Sequence, residues 1–107
     1  GEPCDAGEKE KEEQQTMEMS PTTKALKARA EAGESRAMLE YGVELLEKRP
    51  ESGRESLEWF RKCVATAGDD GALKGTACYA LGYAYDAGKG IARNDRESAR
   101  WIAMAAE

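Results

Sequence analysis

The stretch ACYALGYAYDAGKGIARNDRESARWIAMAAE, residues 77–107, has the pattern of two helices joined by a turn. The first helix ends at Gly88, since glycine readily takes the left-handed conformation that closes a helix. The second begins at Asn94, and Asn94 with Glu97 matches a capping box. The stretch therefore predicts a helical hairpin with Gly88 and Gly90 in its turn.

A similar pattern occurs about 40 residues earlier in the chain. The matching positions are Ala37 with Ala77, Gly42 with Gly82, and Trp59 with Trp101. A glycine within a helix costs roughly 1 kcal/mol relative to alanine, so its presence at matching positions indicates a packing requirement. We expect the small residues to let a second helix approach closely, and the tryptophans to fill the space between hairpins.

Five segments of the chain have helical patterns and boundaries. They are SPTTKALKARAEAG (20–33), ESRAMLEYGVELLEKRP (34–50), SGRESLEWFRKCVATAG (52–68), GALKGTACYALGYAYDAG (71–88) and NDRESARWIAMAAE (94–107). Ser20 is a candidate N-cap with Pro21 at the first helical position, and Ser52 with Glu55 matches a second capping box. The sequence thus predicts an all-α fold of five helices.

The segment 1–20 has a different composition from the rest. It holds seven acidic and two basic residues and little that could form a core, which predicts a disordered acidic leader. The domain proper is predicted over 21–107, where acidic and basic residues balance. Cys4 lies in the leader as a candidate attachment point.

The 77–107 stretch resembles a Sel-1-like repeat, a relative of the tetratricopeptide repeat. The slots of that pattern are held by Ala77, Leu81, Gly82, Tyr85, Gly88, Gly90, Asn94, Ser98, Trp101 and the final Ala-Ala-Glu, with Asn94 and Ser98 departing mildly from it. Repeats are predicted at about 34–68 and 74–107, with a partial repeat helix over 22–33. The resemblance implies an α/α solenoid of about two hairpins that binds proteins on its concave face.

The composition argues against several other functions. The net charge is −5 and no basic patch is visible, which disfavours nucleic acid as a partner. No apolar run is long enough to span a membrane. Histidine is absent, so the common nucleophile–base pairs cannot be built, and no metal or cofactor site is predicted. The Gly-Lys-Gly at 88–90 lacks the spacing and the Ser/Thr of a phosphate-binding loop, and a turn explains it better.

The candidate partner-binding surface comes from a second apolar stripe on the helix over 35–48. By resemblance to tetratricopeptide geometry, this stripe faces the concave groove together with matching positions of the next hairpin. The predicted surface consists of Arg36, Leu39, Val43, Leu46, Thr76, Tyr79, Tyr83 and Asp86. Two alternatives stay open, namely that the leader or the first helix fills this groove, and that these residues are ordinary core.

Cys63 and Cys78 lie in consecutive predicted helices, so the two thiols could approach disulfide distance if those helices are antiparallel neighbours. The resemblance adds that related exported repeat proteins staple their hairpins in this way. The alternative is a pair of small buried apolar residues.

The leading functional hypothesis is a non-catalytic protein- or peptide-binding module. An immunity-type inhibitor of a cognate bacterial toxin is the alternative within binding, and a cell-wall hydrolase is the enzymatic alternative. Self-association through uncovered solenoid ends is a further hypothesis. The resemblance implies a bacterial protein, periplasmic or secreted, with a cytoplasmic location as the alternative.

Overall fold

The computed structural model describes residues 19–88 and 91–107, and this part of the chain is all-α and contains no strand. Its five α-helices are α1 (Pro21–Glu31), α2 (Ser35–Lys48), α3 (Gly53–Thr66), α4 (Gly71–Ala87) and α5 (Asp95–Ala105), and a short 3-10 helix (Pro50–Ser52) leads into α3. Each helix packs against its neighbours along the chain, and α2 also meets α4. The predicted all-α fold of five helices is confirmed. Most of the predicted leader, residues 1–18, and Gly90 of the predicted turn lie outside the described residues.

Three helices begin with a side chain that accepts a backbone N–H from the first turn. The Ser20 hydroxyl accepts from the N–H of Thr23 at 3.2 Å, with Pro21 opening α1. Asp70 opens α4 in the same way, and Asn94 opens α5 by accepting from the N–H of Glu97 at 3.1 Å. These caps satisfy donors that the helix itself leaves unpaired.

The start of α3 differs from the capping box that the sequence predicts. Ser52 makes no side-chain cap bond, because the 3-10 helix runs directly into α3. The Ser52 carbonyl accepts from the Ser56 hydroxyl, and the Glu55 carboxylate accepts from the indole N–H of Trp59 at 3.4 Å. The Glu55 carboxylate therefore binds a side chain one turn further along α3 and does not cap the start of the helix.

The corner between α4 and α5 is fixed from both sides. Gly88 has a φ of 65°, in the left-handed region, and its N–H donates to the Ala84 carbonyl to end α4. The N–H of Asn94 donates to the Tyr85 carbonyl at 3.0 Å, which ties the start of α5 to the end of α4. In a full capping box the N–H of Asn94 would instead donate to the Glu97 carboxylate.

The buried apolar side chains form two adjoining clusters. One contains Met19, Ala30, Ala37, Met38, Tyr41, Leu45, Cys63, Leu73 and Ala77, and the other contains Leu46, Leu57, Phe60, Leu81 and Ala84. Trp59 packs against the first cluster and meets Tyr41 edge to face, with ring centroids 5.7 Å apart. Trp101 packs against the second cluster. Both tryptophans are half-buried.

The helix pairs α2–α3 and α4–α5 have the same close contact between their two helices. A Cβ added to Gly42 would lie 2.6 Å from the Phe60 ring, and one added to Gly82 would lie 2.5 Å from the Ile102 side chain. Phe60 and Ile102 each follow a matched tryptophan by one residue, so the closest contact comes from the neighbour of the tryptophan. Each pair thus has a glycine at a point where a side chain of the second helix packs directly on the first.

Candidate functional site

A largely apolar groove opens between α1, α2 and α4, with a volume of about 470 Å³. It is lined by Leu26 from α1, by Leu39, Glu40, Val43 and Glu44 from α2, and by Thr76, Tyr79 and Ala80 from α4. We call it the α2–α4 groove. It forms because α2 and α4, the first helices of the two hairpins, run beside each other with α1 on the flank.

The floor of the α2–α4 groove is held by the core beneath it. Leu39, Val43 and Ala80 are half-buried and pack against the buried clusters. Tyr79 stands beside them with 60% of its surface exposed. The Thr76 hydroxyl donates to the Ala72 carbonyl at 2.9 Å within α4. The groove therefore presents a fixed aliphatic floor and an exposed aromatic ring.

The charged residues that line the α2–α4 groove are both acidic. Glu40 is exposed, and Glu44 is half-buried. Glu44 pairs with Lys48 at 2.9 Å and accepts a long hydrogen bond of 3.4 Å from the Thr23 hydroxyl. These contacts fix the carboxylate of Glu44 at the α1 side of the groove.

The structure brings together four of the eight residues predicted for the partner-binding surface, namely Leu39, Val43, Thr76 and Tyr79. Tyr83 is exposed on α4 one turn beyond Tyr79, and Arg36 and Asp86 are exposed on α2 and α4, but these three do not line the groove. That these residues contact a partner stays a prediction.

Leu46 is a correction to that surface. The side chain is only 4% exposed and belongs to the cluster that contains Leu57 and Phe60. Leu46 shares the helix face of Leu39 but lies in the last turn of α2, where it packs into the cluster formed with α3. Leu46 cannot form part of an open binding surface in this fold.

Four lining residues were not predicted from the sequence: Leu26, Glu40, Glu44 and Ala80. Leu26 could have been predicted from the sequence, because it is the only large apolar side chain in α1. A single leucine on an otherwise polar helix is expected to pack against a neighbouring helix. The two glutamates and the alanine carried none, since such residues are ordinary on exposed helix faces.

The two cysteines of the described chain do not form the predicted disulfide. Cys63 and Cys78 are free and buried, as in the alternative interpretation. Burial raises the pKa of both thiols, and the nearby Asp70 carboxylate raises the pKa of Cys63 further. Both groups are therefore neutral thiols near neutral pH. Cys4 lies outside the described residues.

A second cleft, of about 380 Å³, lies beside Trp59 and has a different character. Its lining consists of Lys27, Glu31, Arg54, Glu55, Glu58, Trp59 and Lys62, so charges of both signs surround a single aromatic ring. The ammonium of Lys62 lies 4.5 Å from the centre of that ring, which occupies its face with a cation–π contact. This cleft offers a partner little open apolar surface, in contrast to the α2–α4 groove.

Comparison with known proteins found no matching family model, no matching curated protein and no matching solved structure. Among the described residues no helix is long and apolar enough to cross a membrane. Within the same residues no three Cys, Asp or Glu side chains come together as candidate metal ligands. The case for function therefore depends on the groove itself.

Proposed function

We propose that this chain is a non-catalytic binding protein that receives a segment of a protein partner in the α2–α4 groove. The main support for this proposal is the exposure of Tyr79, which is 60% exposed and lies beside the half-buried Leu39 and Val43. Aromatic rings next to an apolar depression are typical of the residues that dominate protein–protein binding energies. Leaving such a surface in water is unfavourable unless a partner covers it.

The groove is also suited to binding because most of it is already ordered. Leu39, Val43 and Ala80 are held by the clusters beneath them, so a partner does not have to order them on arrival. Ordering interface side chains on binding commonly opposes affinity, and a formed floor reduces that cost. Tyr79 is the most exposed of the apolar and aromatic side chains that line the groove.

Membership of the Sel-1-like repeat family is part of this proposal. It is supported by the matched contacts of the two hairpins, in which Gly42 meets Phe60 and Gly82 meets Ile102. Ser56 and Ser98, 42 positions apart, are also both buried. The bacterial origin and export that the resemblance implies stay predictions.

Peptide selection tests the proposed function. Random twelve-residue peptides displayed on phage are selected on the full chain, and the affinities of the recovered peptides are then measured by fluorescence anisotropy. We expect Tyr79→Ala to weaken binding about tenfold or more, as for an aromatic residue at the centre of an interface. Circular dichroism checks that the variant is folded, which we expect because Tyr79 is exposed.

Met104→Ala is the matched control for this experiment. Met104 is an exposed apolar residue on α5, outside the α2–α4 groove. The proposal requires binding to be unchanged in this variant. Peptides that bind wild type and Tyr79→Ala equally well, or that lose affinity only with Met104→Ala, contradict it.

Self-association through α5 is a second candidate function, favoured by one observation. Ile102 and Met104 are 42% and 38% exposed on this helix. A second copy could bury these side chains, and light scattering over a range of protein concentrations would then detect a dimer that Met104→Glu abolishes. A constant monomer mass would exclude this candidate and leave the groove proposal intact.

A further inference from the structure

We infer that the partner segment in the α2–α4 groove carries an apolar side chain next to a lysine or arginine. This inference rests on the proposed function and names the chemistry of the partner. It follows from two properties of the groove, its aliphatic floor and its acidic edge, which together suit one kind of segment.

The apolar half of the inference comes from the floor. Leu26, Leu39, Val43 and Ala80 surround a space of about 470 Å³, which is of the size that a few side chains occupy. No buried charged group lies among the lining residues that could compensate a polar side chain placed there. An aliphatic or aromatic side chain is therefore the group that this floor favours.

The basic half of the inference comes from α2. Glu40 and Glu44 lie one helical turn apart, about 6 Å along the axis, and both line the groove. No basic side chain lines it. Lys48 pairs with Glu44 from outside the lining, while Glu40 is exposed toward solvent. The edge of the groove therefore carries negative charge.

The charged residues just beyond the groove only partly offset this charge. Arg36 lies one turn before Glu40 on α2, and Asp86 lies toward the end of α4. Asp86 adds to the acidic side. The exposed bases outside the lining include Arg36 of α2, Lys74 of α4 and Arg29 of α1. Arg29 pairs with Glu34 and also interacts electrostatically with Glu40, but none of these bases lines the groove. The lining of the α2–α4 groove therefore favours a cation on the partner over an anion.

Lysine and arginine also fit the geometry of an acidic edge above an aliphatic floor. Their methylene stems cover apolar surface while the charged head reaches a carboxylate. The exposed ring of Tyr79 on the opposite wall offers such a head a further cation–π contact. The same edge repels acidic segments and nucleic-acid phosphates.

This charge preference also separates the partner from the chain's own first residues. Residues 1–20 carry seven acidic and two basic residues. Placed in the α2–α4 groove, that segment would set like charges against Glu40 and Glu44. The inference therefore commits to a separate basic and apolar segment as the occupant.

The experiment uses peptides recovered from the random twelve-residue library on the full chain. We expect them to be enriched in peptides with Lys or Arg next to an aliphatic or aromatic residue. In the tightest peptide, replacing the basic residue by Gln should weaken binding about 2- to 5-fold, as is typical of one exposed ion pair. The Glu40→Gln variant should bind the basic peptide more weakly by a similar factor, and its affinity for the Gln-substituted peptide should equal that of wild type.

Glu58→Gln provides the matched control, because it makes the same change of charge on α3, in the cleft beside Trp59. Its affinity for the basic peptide should equal that of wild type. At 0.5 M NaCl the difference between wild type and Glu40→Gln should shrink, since salt screens exposed charges.

The outcomes separate this inference from the proposed function. Peptides that depend on Tyr79 but are acidic, or lack basic residues, overturn the inference and leave the proposed function standing. Peptides that do not depend on Tyr79 overturn both. A synthetic peptide of residues 1–18 that competes with the selected peptides would also overturn the inference, because it would make an acidic segment the preferred occupant.

Discussion

The hairpins α2–α3 and α4–α5 share one packing device but differ in what covers it. In each, a glycine in the first helix meets a side chain of the second, Phe60 at Gly42 and Ile102 at Gly82. Phe60 is fully buried because α4 packs on α3, whereas Ile102 is 42% exposed, since within the described chain no helix follows α5. Equivalent positions of the two hairpins can therefore be buried in one hairpin and exposed in the other.

The two hairpins also differ in how their helices are joined. A 3-10 helix connects α2 to α3, while α4 and α5 meet at a corner closed by Gly88 and capped by Asn94. The α2–α4 groove lies between the first helices of these two hairpins. Its shape thus depends on both hairpins keeping their packing, which variants at the matched positions test.

The largest effect is expected for truncation of the matched side chains. Phe60→Ala should lower the free energy of unfolding by about 3–5 kcal/mol, because it empties a fully buried site. Ile102→Ala should lower it by about 1 kcal/mol, since nearly half of that side chain is already in water. Urea denaturation followed by circular dichroism measures both. Equal losses would mean that α5 is covered as well as α3.

A smaller effect is expected when the glycines are replaced. Gly42→Ala places a methyl group 2.6 Å from the ring of a buried phenylalanine that has no room to move, so we expect a loss of about 1–2 kcal/mol after the gain in helix propensity. Gly82→Ala should lose less, because the Ile102 side chain can turn toward solvent, although the Ser98 carbonyl lies 3.1 Å away. A larger loss at Gly82 than at Gly42 would mean that the α4–α5 pair is the more tightly packed of the two.

The pH dependence of stability should differ between the hairpins. Tyr41 in α2 occupies the position that Leu81 holds in α4, and burial raises the pKa of its phenol well above the ordinary value. The unfolded chain ionises first, so the contribution of Tyr41 is complete below about pH 10 and is lost as the pH rises above it. Between pH 10 and 11 this group should lower the free energy of unfolding by about 1 kcal/mol, because the unfolded phenol is already half ionised at pH 10.

Tyr41→Phe is the reference for this measurement. The Tyr41 hydroxyl makes a long contact of 3.9 Å with the Met19 sulfur and also interacts with the Glu55 carboxylate. Neither contact is a short, buried hydrogen bond to the backbone, so we expect the variant to fold. Denaturation at pH 8 and pH 11 should show a steeper fall for wild type than for Tyr41→Phe. Parallel curves would mean that the phenol is not shielded from water.

The smallest effect is expected at the corner. Asn94→Ala removes the side chain that accepts the N–H of Glu97, and such a cap contributes about 1 kcal/mol. Asn94→Ser retains an acceptor and should recover most of the loss. Thermal melting compares the three chains, and an alanine variant as stable as wild type would mean that the Tyr85 carbonyl bond alone holds the corner.

The sequence was sufficient for the helices but only in part for the groove. Ser20, Gly88 and Asn94 predict helix boundaries because caps and left-handed glycines act locally. Leu46 was misplaced because a stripe at helical spacing does not say where the core ends along it. Glu40 and Ala80 were missed because their role depends on which helices come together, which is a property of the tertiary packing.

Chemical-shift mapping shows where a selected peptide binds, and so whether it occupies the α2–α4 groove. The full chain, labelled with ¹⁵N, is titrated with the tightest selected peptide while its amide signals are followed. We predict that the largest shifts fall on Leu39, Glu40, Val43, Thr76, Tyr79 and Ala80, with α5 little changed. Shifts concentrated on α5 around Ile102 and Met104, or around the Trp59 cleft, would place the binding site outside the α2–α4 groove.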